Sequence, residues 1–404
     1  MRHRIGAPAR SRRPVGWRPV DRDFGLTTEQ RDLIAAVRAY VADRIRPEIA
    51  GFEERGEFPR DHFRDLCAMG LGGIPYEERY GGGGQPYLLY LAVLEEVATG
   101  SLSLAVGLSV HHLSAFGVHD FGSEALKEKY LPKLFSGEWL GAYALSEAAS
   151  GSDAAALRTR AERDGDGWRL TGSKRFISHA GEAEHYLVMA RTGGEGPEGI
   201  SAFAVEKGWP GLEFGAKEAK MGWHASPMRE VILDGCRVPG DNLVGEQGQG
   251  FTVALAALDG GRLGIAACSV GLAQAALDAA VGFARDRTQF GRPVIGFQGL
   301  QFLLADAATQ VEAARRLYRE AARARDQGRG STVACSMAKL FASDVAMRVT
   351  TDAVQGHGGY GYMREYPVER YMREAKALQI VEGTNQVQRM IIGRRLAGDV
   401  DPGS

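Results

Sequence analysis

The chain of 404 residues has only four cysteines, and no two of them form a Cys-x-x-Cys pair. This spacing argues against a disulfide framework and a structural zinc site, so we expect a cytoplasmic protein without a bound metal. The formal net charge is only -1, which gives no electrostatic case for a nucleic acid or an anionic membrane surface as a partner. No uninterrupted apolar run reaches about 18 residues, so the sequence predicts no membrane-spanning helix.

The first 22 residues differ in composition from the remainder of the chain. They contain seven arginines, three prolines and a single acidic residue, Asp21. An Arg-rich, acid-poor start is typical of a transit peptide, but the prolines oppose an amphipathic helix, and the apolar run of a secretory signal is missing. We therefore predict a disordered basic tail over residues 1–23.

Residues 24–140 have the apolar periodicity of helices. Thr27 or Thr28 can cap a first helix, in which Val37, Val41 and Ile45 recur at helical spacing. Further helices are predicted over residues 63–69, 88–97 and 125–134. We therefore predict an all-α N-terminal domain over residues 24–140.

The apolar period changes at residue 141 and changes back near residue 246. Trp168 and Leu170 alternate with polar neighbours, and Asp-Gly and Gly-Gly pairs separate short apolar runs, which predicts a β domain over residues 141–245. Residues 246–404 show long helical faces and predict a C-terminal helical bundle. The stretch Asp259-Gly260-Gly261-Arg262 is expected to begin its first long helix.

One acidic residue, Glu382, stands out near the end of the chain. It follows the apolar pair Ile380-Val381 and precedes Gly383 and Thr384, and Thr384 can cap the helix that comes next. Burial against the apolar pair would raise the pKa of Glu382 and make its carboxylate a useful base. On spacing alone, a surface glutamate before a helix cap is the commoner interpretation.

Four other stretches carry groups suited to a flat ring or a diphosphate. Residues 143–153 (YALSEAASGSD) are rich in small and hydroxyl side chains, and residues 174–178 (KRFIS) place an aromatic and a hydroxyl residue on one strand face. Residues 287–291 (RTQFG) offer an arginine for a diphosphate. Residues 355–361 (QGHGGYG) contain Gly-x-Gly-x-x-Gly, but the preceding segment predicts a helix, which excludes a Rossmann site. Each stretch also has an ordinary interpretation as a loop, strand or turn, and for residues 143–153 and 287–291, taken alone, that interpretation is favoured.

Together, and in this order, these motifs resemble those of the acyl-CoA dehydrogenase family. The resemblance covers roughly residues 26–396, and its C-terminal signature is the Glu-Gly-Thr element at residues 382–384. It points to the short-, medium- or branched-chain type. It implies a multidomain α+β fold with an N-terminal α-helical domain, a middle β-barrel-like domain and a C-terminal four-helix bundle. It also implies an oxidoreductase with FAD as cofactor that works in the degradation of a fatty acid or an amino acid.

The resemblance also implies roles for individual residues. Glu382 would remove the α-proton of the acyl thioester while a hydride leaves the β-carbon. The residues implied to bind FAD are Tyr143, Leu145, Ser146, Ser152, Phe176, Ser178, Arg287, Gln289, Phe290, Gln298, Gln355, Gly356, Gly358, Gly359, Thr384 and Gln386. The residues implied to bind the substrate are Ser152, Asp259, Arg262 and Gly383.

Two departures from the family pattern affect this interpretation. Family members often have Trp and Thr where this chain has Phe176 and Ser178, which puts the reactivity towards oxygen and the flavin potential in doubt. One family branch has its catalytic Glu immediately before Arg262, but Gly261 stands there in this chain and cannot act as a base. Glu382 is therefore the expected base.

The expected partners are an acyl-CoA substrate, an electron-transferring flavoprotein as acceptor, and further copies of the chain in a dimer or tetramer. The motifs at residues 287–298 and 355–359 would bind a flavin held mostly by the adjacent subunit. The alternatives are an acyl-CoA oxidase, a flavin monooxygenase on the same fold, a dehydrogenase of a carrier-protein-bound acyl group, and a non-catalytic thioester-binding protein. The sequence does not identify the acyl chain.

Overall fold

The computed structural model describes residues 25–398. The predicted basic tail over residues 1–23 lies outside the described residues. Within them, helices come first, a sheet follows, and long helices complete the chain. The expectation of an α+β fold with a central β region between two helical parts is confirmed.

The first part of the described chain is helical. A capping box begins its first helix: the Thr27 hydroxyl accepts from the Gln30 N–H at 3.3 Å, and the Gln30 side chain accepts from the Thr27 N–H at 3.0 Å. A π-helical turn at Val41–Ile45 joins this helix to the next. The helices are α1 (Thr28–Tyr40), α2 (Arg46–Arg55), α3 (Arg60–Ala68), α4 (Tyr87–Gly100), α5 (Leu102–Phe121) and α6 (Glu124–Phe135).

The sequence periodicity did not single out α5. Apolar and small residues occupy every face of this helix, because the helix is buried along most of its length. A helix that is enclosed by other elements has no polar face to give a period of 3.6 residues.

The middle of the chain forms one eight-stranded sheet. The strand order is β6-β7-β3-β2-β4-β5-β8, and β1 pairs in parallel with β4 outside this path. The strands are β1 (Gly141–Ala144), β2 (Arg160–Asp164), β3 (Gly167–Ser178), β4 (His185–Arg191), β5 (Ile200–Glu206), β6 (Leu212–Phe214), β7 (Met228–Val238) and β8 (Leu243–Val244). The strand β1 packs against α5, so the sheet begins directly on the N-terminal helices.

Five helices and a short hairpin complete the chain. The helices are α7 (Gly250–Asp286), α8 (Gln298–Asp326), α9 (Thr332–His357), α10 (Val368–Leu378) and α11 (Asn385–Ala397), and the hairpin consists of β9 (Thr288–Gln289) and β10 (Arg292–Pro293). The expectation that a helix begins at Asp259 is wrong, because α7 begins at Gly250 and Asp259 lies within it. A glycine of this stretch instead allows close packing inside the helix: a Cβ on Gly260 would lie only 2.9 Å from the hydroxyl oxygen of Tyr87 on α4.

The helix α7 is also long and apolar enough to cross a membrane, by length and composition alone. In the structure, 83% of its most apolar window is buried inside the protein. It is the central helix of the molecule, since it contacts α4, α5, α8 and α9. Its small residues give a high mean hydropathy without an unbroken run of large apolar side chains.

A buried ionic cluster fastens the N-terminal helices to the C-terminal bundle. Glu95 on α4 accepts from Arg315 at 2.8 Å and from Arg319 at 3.2 Å, both on α8. Tyr318 donates to the same carboxylate, and Gln274 on α7 accepts from Arg315 at 2.8 Å. Removing one partner would leave a buried charge uncompensated, so the cluster holds α4, α7 and α8 in one arrangement around the site described next.

Candidate active site

A tight turn between α10 and α11 directs Glu382 into the protein. Glu382 and Gly383 both have left-handed backbone conformations, with φ of 52° and 88°. This conformation is strained for a glutamate and persists only where the surroundings enforce it. The Thr384 hydroxyl accepts from the Val387 N–H at 3.3 Å, which confirms the expected cap of the helix α11.

The Glu382 carboxylate lies against the main chain of α7. A Cβ built on Gly261 would collide with Glu382 Oε2 and lie 2.8 Å from Glu382 Cδ. The same Cβ would lie 2.8 Å from Leu113 Cδ2 on α5. The carboxylate can therefore occupy this position only because residue 261 has no side chain.

Both carboxylate oxygens of Glu382 are buried, and neither has a hydrogen-bond partner among the described residues, although the residue as a whole is only half-buried. Burial raises the pKa of Glu382 to about 8, while the positive charges of Lys339 and Arg262 act in the opposite direction. The expected source of this burial is partly wrong, because Ile380 is 54% exposed. The carboxylate is instead enclosed by Gly261 and Leu113, which sequence proximity does not show.

A network of polar side chains from α9 contacts the turn that carries Glu382. The buried Lys339 on α9 donates to the Gly383 carbonyl and to Asn385 Oδ1, both at 2.9 Å. The Asn385 amide donates to Asp344 Oδ1 at 2.8 Å and to Ser343 Oγ at 2.9 Å. The sequence analysis missed Lys339, and the signal was its position within the apolar face of α9.

The predicted substrate-binding pair on α7 forms a contact of its own. Arg262 is buried and donates to Asp259 Oδ1 at 2.6 Å, and Thr332 donates to Asp259 Oδ2 at 2.7 Å. Arg262 Nε is buried and has no hydrogen-bond partner within residues 25–398. Asp259 thus fixes the arginine, and the arginine contributes positive charge at the Glu382 carboxylate.

The first flavin motif lies close to Glu382. Tyr143 on β1 has a raised pKa because of burial and of the Glu382 charge, and its hydroxyl donates to the Ala254 carbonyl of α7 at 3.2 Å. Leu145 is buried, and Ser146 is half-buried with its carbonyl accepting from the Arg175 N–H at 2.8 Å. Ser152 lies further along the loop and is exposed.

A buried ion pair that sequence reasoning missed supports this motif. Lys174 Nζ donates to Glu147 Oε1 at 2.7 Å and to the Leu145 carbonyl at 3.1 Å. The Glu147 carboxylate also accepts from the Arg158 and Thr159 N–H groups, at 2.6 and 2.9 Å. The pair ties residues 145–147 to β3, the strand that carries the second flavin motif.

The second flavin motif sits at an irregularity of β3. The register between β3 and β7 shifts between Lys174 and Ile177, and Phe176 has φ of 60°. Ile177 is buried, whereas Ser178 is half-buried and the Phe176 ring is 59% exposed. A large exposed ring in a left-handed conformation, next to the first flavin motif, offers a surface on which a flat ring system can pack.

The structure brings together the two other motifs predicted for a flavin. Arg287, Gln289 and residues 355–359 line one groove of about 510 Å³, together with Phe283, Val294, Leu300, Tyr360 and Met363. The Arg287 guanidinium lies 5.2 Å from the Tyr360 ring centroid. Phe290 is 92% exposed beside this groove, and Gln298 is exposed where α8 begins.

This groove is remote from Glu382 within one chain. Arg262 and Arg287 are separated by 25 positions along α7 and its C-cap, which is roughly 37 Å of helix. The groove and the Glu382 site therefore lie towards opposite ends of α7. Gln386, the last predicted flavin contact, is exposed in the first turn of α11.

The arrangement fits a flavin in two respects. Tyr143 lies near the buried Glu382 carboxylate, and Phe176 and Ser178 present an exposed ring and a hydroxyl group on the neighbouring strand β3. The groove of Arg287 supplies a cation and glycine-rich backbone for a nucleotide diphosphate. Within residues 25–398, no group of three or more His, Cys, Asp or Glu side chains could hold a metal ion.

Comparisons with known proteins agree with this geometry over the length of the chain. The family models described as acyl-CoA dehydrogenase N-terminal, middle and C-terminal domain match residues 27–138, 142–236 and 248–397. The mitochondrial isobutyryl-CoA dehydrogenase of Dictyostelium discoideum is 44% identical over 93% of this chain and 91% of its own length. The short-chain specific acyl-CoA dehydrogenase of Megasphaera elsdenii is 43% identical over 93% of this chain and 99% of its own.

Solved structures show the same fold. A chain described under the electron transferring flavoprotein of Acidaminococcus fermentans superposes with a TM-score of 0.91 at 44% identity, over 93% of this chain and 100% of that chain. A glutaryl-CoA dehydrogenase from Mycobacterium smegmatis in complex with FADH2 superposes with a TM-score of 0.89 at 28% identity, over 95% of this chain and 98% of that chain.

Proposed function

Because the chain belongs to the acyl-CoA dehydrogenase family, and is thus an oxidoreductase that dehydrogenates an acyl-CoA thioester between its α- and β-carbons with a flavin, we propose that Glu382 is the base that removes the α-proton. The observation that carries this proposal is the position of the Glu382 carboxylate beside Gly261. Both of its oxygens are buried, and neither has a hydrogen-bond partner among the described residues. An oxygen without a donor keeps its lone pairs for a substrate proton, and a pKa of about 8 makes Glu382 a stronger base than an exposed glutamate.

The backbone of the same turn can stabilise the negative charge that develops on the thioester. The N–H of Glu382 donates to no acceptor among residues 25–398. An N–H that points at the thioester carbonyl oxygen would lower the energy of the enolate-like transition state. One residue would then perform both tasks. The Glu382 carboxylate would remove the proton, and the Glu382 N–H would stabilise the charge.

The cofactor in this proposal is tightly bound, non-covalent FAD. When bound, FAD supplies the acceptor for the hydride that leaves the β-carbon. Tyr143, Leu145, Ser146, Phe176 and Ser178 would hold its ring, with Thr384 and Gln386 at the start of α11 nearby. Ser152, Arg262, Asp259 and Gly383 would hold the thioester and its carrier.

We propose that each FAD is shared between two copies of the chain. The groove of Arg287, Gln289 and residues 355–359, flanked by Phe290 and Gln298, lies too far along α7 to reach the flavin of its own Glu382. The C-terminal helices also expose large apolar side chains that a partner would cover, namely Phe302, Met337, Phe341, Tyr362, Met390 and Leu396. A dimer, or a tetramer built from two dimers, would bury these surfaces.

The small size of the cavity beside Gly261 supports a short acyl chain as the substrate. Next to Gly261 lies a cavity of only about 10 Å³, the room of one water molecule. Its walls include the rings of Tyr76, Tyr87, Tyr90 and Phe116. These aromatic walls next to Gly261 leave little space for a long acyl chain. The names of the two relatives, an isobutyryl-CoA dehydrogenase and a short-chain specific acyl-CoA dehydrogenase, agree with this limit.

The electron acceptor in this proposal is an electron-transferring flavoprotein rather than oxygen. The solved chain described under such a flavoprotein supports this choice. An oxidase remains the second candidate, because Phe176 and Ser178 replace the usual Trp and Thr beside the flavin. The buried, unpaired cysteines 67, 236, 268 and 335 support a cytoplasmic location.

The test is to mix the purified holoenzyme anaerobically with butyryl-, isobutyryl-, octanoyl- and benzoyl-CoA and to record the flavin spectrum. Bleaching with the first two is expected, and benzoyl-CoA, which has no saturated α,β bond, is the matched control. Binding of every thioester without bleaching would contradict the proposed function. Rapid reoxidation of the bleached enzyme by air, with formation of hydrogen peroxide, would identify the oxidase instead.

A further inference from the structure

We propose that Lys339 is a positioning residue for Glu382, which holds the catalytic turn in place through its ammonium group and keeps the base ready to ionise. This inference rests on the proposed function, since it takes Glu382 as the base. It assigns a role to a buried side chain that contacts the residues following the base.

The position of Lys339 is unusual for a lysine. The side chain is fully buried on α9, and its ammonium group has two hydrogen-bond acceptors, the Gly383 carbonyl and Asn385 Oδ1, each at 2.9 Å. These acceptors lie one and three residues after Glu382. The ammonium group therefore holds the turn on the C-terminal side of the base.

The charge of Lys339 is not neutralised by a hydrogen-bonded carboxylate. Burial lowers its pKa to about 8, and the nearest negative charges are Glu382 and, more weakly, Asp344. Asp344 already accepts from Asn385 at 2.8 Å and from Gln379 at 2.6 Å. A buried cation and a buried carboxylate, neither of which has a hydrogen-bonded ionic partner among the described residues, each favour the ionised state of the other.

The other groups that interact with Glu382 in the described part of the chain keep their charge as Glu382 ionises. Tyr87, Tyr90, Tyr143 and Cys268 all interact with the Glu382 charge, and burial raises the pKa of each of them, so they stay neutral near pH 8. Among residues 25–398, Arg262 is the one other cation that acts on Glu382, and a guanidinium group carries a permanent charge. Lys339 is thus the titratable cation that sets the balance.

Three variants separate the effect of the Lys339 charge from the effect of its hydrogen bonds. Lys339→Gln keeps a hydrogen-bond donor and loses the charge, Lys339→Met loses both, and Lys339→Arg keeps both in a larger group. Lys220→Met is the control, because Lys220 is another largely buried lysine with a lowered pKa, bonded to the Ser226 carbonyl and not acting on Glu382. The rate of flavin reduction by butyryl-CoA is measured anaerobically from pH 6 to pH 10, with the flavin content of each variant.

For Lys339→Gln we expect the pH midpoint of flavin reduction to rise by about one unit, so that the rate at pH 7 falls about tenfold while the high-pH rate changes little. Lys339→Met should also lose rate at high pH, because the turn is no longer held. Lys339→Arg and Lys220→Met should keep the wild-type midpoint, whatever they cost in melting temperature. A wild-type midpoint in Lys339→Gln would overturn the proposal.

A second measurement keeps the proposal testable if the Gln and Met variants do not fold. The Lys339 amine is followed by lysine 15N NMR in the wild-type holoenzyme and in Glu382→Gln, without any substrate. Loss of the carboxylate should lower the pKa of Lys339, and an unchanged titration would contradict the proposal. If none of the acyl-CoA thioesters reduces the flavin of any of these proteins, including the wild type, the proposed function fails, and the NMR result still decides the coupling.

Discussion

The carboxylate of Glu382 occupies the space that a side chain at Gly261 would need. A Cβ at residue 261 would collide with Oε2 and lie 2.8 Å from Cδ. Gly261 is also the position at which one branch of the family has its catalytic glutamate. The two residues are 121 positions apart in the sequence, yet only one of them can carry a carboxylate at this point of the site.

This relationship predicts how the base can be moved. Gly261→Glu alone should disrupt the site, and Gly261→Glu with Glu382→Gln should fare no better, because glutamine fills the same volume as glutamate. Gly261→Glu with Glu382→Gly removes the collision and should recover more flavin reduction than Glu382→Gly alone. The measurement is anaerobic flavin bleaching by butyryl-CoA. Equal rates in the double variant and in Glu382→Gly would show that the two positions do not serve one reaction site.

Glu382→Gln should make the holoenzyme more stable at pH 8. Below about pH 4.5 the carboxyl is protonated in both the folded and the unfolded protein, whereas between pH 4.5 and about 8 only the folded state keeps the proton. Wild-type stability therefore falls across this window, and glutamine removes the fall. We expect a gain of about 1–3 kcal/mol at pH 8 and almost none at pH 4.5.

The measurement is the melting temperature of both proteins at several pH values. Glu374 is also buried with its pKa raised to about 8, so both proteins keep a common pH dependence and the difference between them isolates Glu382. A difference that does not vary with pH, or a variant less stable at pH 8, would contradict the account.

The sequence was sufficient where function depends on neighbours in the chain. The cap at Thr384 could be predicted from spacing. The role of the glutamate before it and the assignment of two flavin motifs to a neighbouring subunit were implied by the resemblance to the family and not by spacing. The sequence was insufficient where function depends on contacts between distant elements. The burial of Glu382 comes from Gly261 and Leu113 rather than from Ile380, and no local pattern connects Lys339 to Glu382 or Lys174 to Glu147.

Arg287→Ala should weaken FAD retention and oligomer stability together. Arg287 lines the groove that would receive the partner's flavin, and its guanidinium lies 5.2 Å from the Tyr360 ring centroid. Gel filtration and the ratio of flavin to protein after dialysis measure the two effects. Arg237→Ala, which removes an exposed arginine of the sheet paired with Asp164, is the control. A loss of flavin without any change in assembly, or no loss of either, would argue against a shared site.

Phe116→Ala should widen the range of acyl chains. Phe116 forms part of the wall behind Gly261, and its removal leaves space for further methylene groups. We expect the ratio of kcat/KM for octanoyl-CoA to that for butyryl-CoA to rise about tenfold, since each buried methylene contributes about 0.8 kcal/mol. Phe121→Ala, on the same helix but outside the cavity wall, should leave this ratio unchanged. An unchanged ratio in Phe116→Ala would place the end of the acyl chain elsewhere.

Single-turnover reduction of the flavin in Glu382→Gln tests the central claim most directly. Glutamine preserves the volume and the turn but has no basic oxygen for the α-proton, so flavin content and butyryl-CoA binding should stay at the wild-type level. The rate of anaerobic bleaching by butyryl-CoA should fall by about 10²–10⁴-fold or more, as expected for the loss of a positioned base. Bleaching at a rate near that of the wild type would show that another group removes the proton and that Glu382 is not the base.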